Sequence, residues 1–167
     1  GYMEPSDTLK LFRRFDEGLS SEIRIGLHTH NNMNLAFNNV RTLVEHHSNR
    51  SIIIDSTVMG MGQGAGNMQT ELLVPYLNNN LGKYKYNYIL DACEIINPYC
   101  GDNLWGYSVT HVLSAVTKTA YKFAVYYRKT HKLSFSKIYD LLFDIPEEYR
   151  HRFTNENAIK ILELSNK

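Results

Sequence analysis

The sequence predicts an α/β fold over its first half and an all-helical arrangement over its second. Three observations carry this. Two strand-like runs, 23–29 and 51–57, are separated by a helical pattern, the order of a βαβ unit with parallel strands. A glycine-rich stretch, Gly60-Met61-Gly62-Gln63-Gly64-Ala65-Gly66, follows the second run. Beyond residue 82 the apolar residues recur at helical spacing, and tyrosines gather there. The expected division is 1–82 and 83–167, with Asn78-Asn79-Asn80-Leu81-Gly82 as the hinge.

Taken in order, Pro5-Ser6-Asp7 opens a helix, with Ser6 as cap and Asp7 at the positive end of the helix dipole. Leu11, Phe12 and Phe15 form its apolar face, and Gly18 ends it. In the strand 23–29, Ile23, Ile25 and Leu27 share one face; Arg24, Gly26, His28 and His30 share the other. Asn31 or Asn32 caps a second helix carrying Met33, Phe37, Val40 and Val44. The run Ser51-Ile52-Ile53-Ile54-Asp55-Ser56-Thr57 suits a strand covered on both faces. A third helix is expected over 67–77, where Pro75 kinks or shortens it. Further helices are expected over 86–96, 107–116, 118–130, 134–143 and 154–165, with breaks at Pro98, Gly101, Ser134 and Pro146. Ser134 and Thr154 cap the last two, Thr154 with Asn157 three residues on.

Composition narrows the function. The chain has 167 residues, 18 Lys+Arg against 17 Asp+Glu and a net charge of +1, which gives no electrostatic footprint for nucleic acid. No apolar run approaches the ~20 residues of a membrane helix, so no membrane partner is expected. Cys93 and Cys100 form neither a disulfide framework nor a CxxC pair, which suits a reducing, cytoplasmic setting. The opening Gly1-Tyr2-Met3-Glu4-Pro5 reads as the interior of a longer protein, so a piece of a larger enzyme is expected.

The chemistry concentrates at His28-Thr29-His30. Two residues apart on a strand, both imidazoles leave the same face with Cα atoms roughly 7 Å apart, within reach of one divalent ion. The pair also sits at the C-terminal end of its strand, where α/β folds place their sites. A third ligand must come from elsewhere; the alternative is two hydrogen-bonded polar residues at a strand end. The glycine stretch could cradle an anion, but it lacks the Lys-Ser/Thr of a P-loop, and a tight packing turn explains it equally well. His46-His47 suits the negative end of a helix, and His111, His131 and His151 suit solvated faces. Cys93 reads as a small buried apolar residue, and Cys100 has no neighbouring base in sequence. Asp55 and Thr57 share a strand face; Asp55 points towards the histidines or makes a structural hydrogen bond. Trp105-Gly106-Tyr107-Ser108 is a packing corner or borders a site mouth.

Together, Gly26-Leu27-His28-Thr29-His30-Asn31 and Gly60-x-Gly62-x-Gly64-Ala65-Gly66-Asn67 resemble the last strands of the DRE-TIM metallolyase superfamily. With Trp105-Gly106-Tyr107-Ser108 and Leu113-Ser114-Ala115, the chain looks most like its 4-hydroxy-2-oxovalerate aldolase-like branch. The resemblance implies the C-terminal quarter of a (β/α)8 barrel, followed by a helical communication or interaction region. It implies His28 and His30 as ligands of Mn2+ or Mg2+, Asn67 as a further ligand or neighbour, and Tyr107 at the substrate pocket. It implies a small 2-oxo acid substrate cleaved to pyruvate and an aldehyde, with a partner dehydrogenase, a fused domain or a homo-oligomer as companions. The superfamily's Asp-Arg-Glu motif on strand one has no counterpart here, so the catalytic groups are expected outside these residues and the chain alone is expected to be inactive. Two alternatives stand beside this: a non-catalytic helical interaction module docking a partner enzyme, and an acyl-CoA/2-oxo acid synthase of the same superfamily.

Overall fold

The computed structural model describes residues 1–46, 49–100 and 105–165. His47 and Gly101, both named above, lie outside the described residues. The chain forms two compact units, Met3–Gly106 and Tyr107 onward. The boundary falls later than the expected one near 82, because the helix after the hinge packs back on the helix before it.

The first unit runs α1 (Pro5–Gly18), β1 (Ile25–Leu27), α2 (Ala36–Glu45), β2 (Ile52–Ile54), a 3-10 turn (Val58–Gly60), α3 (Thr70–Leu81), α4 (Tyr86–Ile96) and a second 3-10 turn (Asn97–Cys100). Helix α1 starts two residues earlier than Ser6 capping implies. Pro5 takes the first helical position, where its missing N–H costs nothing. Glu4 is then the cap, its N–H donating to Asp7 at 3.4 Å. Asn31 does close the start of α2, but from five residues away: the Ala36 N–H donates to Asn31 Oδ1 at 3.2 Å. Helix α3 starts at Thr70 rather than 67 and runs through Pro75 to Leu81. Gly82, at φ 57°, ends it in the left-handed region.

The strands are parallel, with Ile25 opposite Ile52, Gly26 opposite Ile53 and Leu27 opposite Ile54. Both are shorter than the sequence patterns. Leu27 and Ile54 pack on Ala36, Val40, Met68 and Leu73 from α2, α3 and the loop between. The opposite face carries Gly26 and Ile53, and Ile53 is 40% exposed. The isoleucine strand is therefore covered on one face, not two. Among the described residues the sheet has two strands, so each has one edge without a neighbour.

Arg50 fastens this unit, with a side chain only 5% exposed. Its Nε donates to Asp16 Oδ1 at 2.5 Å, Nη1 to the carbonyls of Ser20 and Ile23, and Nη2 to those of Asp16 and Leu19. One guanidinium thus holds the end of α1 and the turn leading into β1.

The second unit runs α5 (Val109–Val116), α6 (Tyr121–Thr130), α7 (Phe135–Phe143), α8 (Glu147–Arg150) and α9 (Asn155–Leu164). Its core is Phe123, Tyr127, Ile138, Leu141, Leu142, Ile145, Ala158 and Ile161. Side chains of Ser108, Ser134 and Thr154 cap α5, α7 and α9. The short α8 carries no apolar period and was not foreseen. It forms where Arg150 donates to the carbonyls of Thr117, Phe143 and Ile145. His131 is half-buried against Tyr126 and Tyr127 rather than solvated. No helix among the described residues is long and apolar enough to cross a membrane.

Candidate functional site

β1 delivers the two histidines just past its last residue. The His28 and His30 rings meet edge to face, centroids 5.1 Å apart, so the spacing argument for a shared face holds. Asp55, just beyond β2, accepts from His28 Nδ1 at 3.2 Å. A proton on Nδ1 satisfies that contact and leaves the Nε2 lone pair free, the arrangement that orients metal-binding imidazoles. Partial burial holds His30 below the usual histidine range, and the nearby His28 adds to this, while a hydrogen bond with the Gly66 backbone acts the other way. A neutral His30 is the form that binds a metal.

The glycine loop brings a third group to the pair. His30 and Asn67 form an antiparallel bridge, and the Asn31 N–H donates to the Gly66 carbonyl at 2.9 Å. Asn67 Nδ2 donates to the Met61 carbonyl at 3.1 Å, which fixes the amide plane. Its Oδ1 is buried and has no hydrogen-bond partner. Gly62 makes room for this amide: a Cβ there would lie 2.5 Å from Asn67 Nδ2. Gly66, at φ 79°, admits no side chain because the Gly60 carbonyl occupies the space. Trp105 Nε1 donates to the Met59 carbonyl at 2.8 Å and Gly106 N–H to the Gly64 carbonyl, closing the loop from the far side. Trp105 is thus a packing corner.

Four of the loop's N–H groups are committed to its own turns. The N–H groups of Gly60, Met61, Gly66 and Asn67 donate to carbonyls of Thr57, Val58, Gln63 and Gly60. They are spent on the turn itself. Sequence reasoning missed this clasp and the dependence of Asn67 on Gly62; the Gly-x-Gly spacing was the available signal.

The donor set is partial. Two imidazoles and a free amide oxygen suit a divalent ion, and no group of three or more His, Cys, Asp or Glu able to hold a metal occurs among the described residues. Tyr107 is 65% exposed and belongs to the second unit. His46 ends α2 and packs on Phe12. Burial, with Glu71 nearby, pushes the Cys93 thiol up. Cys100 Sγ lies 3.9 Å from the Met59 sulfur.

A family model for HMGL-like proteins matches residues 1–97, which contain every group of this cluster. The chain belongs to the HMGL-like family. Among curated HMGL-like relatives, it is 38% identical over 96 residues to a 4-hydroxy-2-oxovalerate aldolase of Shewanella halifaxensis, matching 56% of this chain and 27% of that protein. It is 35% identical over 101 residues to one of Thermomicrobium roseum, matching 58% and 26%. It therefore spans about a quarter of the length of these relatives. Among solved structures, the N-terminal domain of a putative aldolase from Bacteroides vulgatus superposes with a TM-score of 0.68 at 25% identity, over 79% of this chain and 43% of that one.

Proposed function

We propose that this chain is part of a divalent-metal-dependent lyase barrel that cleaves a 4-hydroxy-2-oxo acid to pyruvate and an aldehyde in the cytoplasm. The observation that carries the reading is the His28–His30 pair bridged to Asn67, whose buried Oδ1 is unpartnered. Membership of the HMGL-like family and aldolase relatives at about a third identity support it. The bare sheet face at Gly26 and Ile53 and the two open strand edges support a larger parallel sheet built around this one.

In this reading His28, His30 and Asn67 Oδ1 hold Mn2+ or Mg2+, and the chemistry the ion supplies when bound is Lewis-acid polarisation of the 2-oxo group. Asp55 keeps the His28 ring turned with Nε2 outward. His30 stays unprotonated at neutral pH because its surroundings disfavour the charged form. Gly62 and the Met61 carbonyl keep the Asn67 oxygen aimed. Tyr107 borders the substrate pocket. A carboxylate to complete the coordination, and the acid–base groups, come from residues outside this chain, so the chain alone is inactive.

Exchange of pyruvate methyl protons with D2O in the presence of Mn2+, followed by NMR, tests this. The 167-residue chain should show no exchange, and a longer enzyme carrying it should exchange in a manner abolished by His28→Ala or His30→Ala. Exchange unaffected by either substitution would refute the reading.

A further inference from the structure

The Trp105 corner does more than pack. Its indole N–H donates to the Met59 carbonyl at 2.8 Å, and the next N–H along, that of Gly106, donates to the Gly64 carbonyl at 3.0 Å. These two bonds pin the stretch 59–64 at both ends. Asn67 hangs from the residues in between. Its N–H donates to the Gly60 carbonyl at 3.0 Å, and its Nδ2 donates to the Met61 carbonyl at 3.1 Å. The orientation of the Asn67 amide is therefore set by two peptide groups that lie between the pins. Trp105 also covers the backbone just before Asn67: a Cβ on Gly66 would lie 3.3 Å from Trp105 Cδ1.

Met59 shows why the pins are needed. It carries a side chain, yet its backbone stands in the left-handed region at φ 53°, ψ 22°. A residue with a Cβ disfavours that region and leaves it unless its surroundings hold it there. Two side chains do the holding. Glu71, in the first turn of α3, accepts the Met59 N–H on Oε2 at 2.9 Å, and Trp105 grips the carbonyl of the same residue. The two come from 12 and 46 positions along the chain, so no local pattern supplies the restraint. If either lets go, Met59 can turn back towards an ordinary conformation. The turn passes directly into the Gly60 and Met61 peptides, where Asn67 is attached.

We infer that Trp105 and Glu71 are positioning residues for Asn67, acting through Met59 to hold its side-chain amide in one orientation. That this orientation serves a metal ion rests on the reading above; the positioning itself does not.

Solvent exchange of the Asn67 side-chain amide in the metal-free 167-residue chain, followed by NMR, tests this. The Nδ2 protons report the bond to Met61 whether or not an ion binds. Trp105→Phe and Glu71→Ala should each speed exchange of the bonded proton at least about tenfold. Glu71→Gln keeps an oxygen for the Met59 N–H and should stay near the wild type. Met59→Gly takes the left-handed conformation freely, so adding it to Trp105→Phe should restore most of the protection. Arg50→Lys weakens the same unit away from this turn and should leave Asn67 exchange unchanged, with circular dichroism confirming that each variant is folded. With Mn2+ present, Trp105→Phe should need about tenfold more ion than the wild type to broaden the His28 and His30 ring signals. Exchange unaffected by Trp105→Phe, exchange raised as much by Arg50→Lys, or no recovery on adding Met59→Gly would each overturn the inference. The expected exchange pattern, without selective broadening by Mn2+ in the wild type, would support the positioning and refute the metal reading instead.

Discussion

Replacing Arg50 by alanine should cost the first unit about 3 kcal/mol. The side chain is 5% exposed, and its hydrogen bonds include one to a carboxylate and four to main-chain carbonyls. Removing one member of a buried charge pair costs about 3–5 kcal/mol, chiefly through the charge left behind. Here the Asp16 side chain is 31% exposed, so water recovers part of that cost and the lower end applies. Trp105 is the chain's single tryptophan and sits in the first unit, so its fluorescence reports that unit's unfolding in urea. At a slope of about 1.5 kcal/mol per molar, the midpoint should fall by about 2 M. Arg50→Lys should recover less than half, because an ammonium cannot fork to five acceptors. Arg41→Ala breaks the exposed pair with Glu45 and should barely move the midpoint. Equal midpoints for Arg50→Ala and Arg41→Ala would refute the claim that this guanidinium holds α1 to the turn.

Other predictions concern the second unit and the loop. The Tyr127 hydroxyl is buried and donates to the Ala158 carbonyl at 3.0 Å. Tyr127→Phe should cost about 1 kcal/mol at pH 8 in thermal melts. Burial raises the Tyr127 pKa above its unfolded value of 10.0. Its contribution is therefore fully present below pH 10 and lost as pH rises beyond it, so the wild type should converge on the variant between about pH 10 and 11; a constant gap would contradict this. Thr154→Ala removes the acceptor of the Asn157 N–H and should cost about 1 kcal/mol, read by circular dichroism. Gly66→Ala should destabilise the first unit more than Gly62→Ala, since the first meets backbone and the second a movable amide. Equal urea midpoints for the two glycine variants would contradict that ordering.

The sequence made the helices legible where caps and period agreed, as at Ser134 and Thr154. It also made the shared face of His28 and His30 legible, because a strand repeats every two residues. It misread features set by distant partners. Helix α8 depends on the carbonyls that Arg150 collects, and the unit boundary on α4 folding back over α3. The glycine stretch looked equally like an anion cradle or a turn. Only the fate of each N–H decides that, and no local pattern encodes it.

The most direct measurement of the central claim is the 1H NMR spectrum of the histidine ring protons during a Mn2+ titration. It detects weak binding by a partial donor set. The account predicts that His28 and His30 broaden first and together, well before the other five histidines, and that His28→Ala or Asn67→Ala removes the selectivity. Uniform broadening of all seven, or selective broadening at His111 or His151 instead, would contradict it.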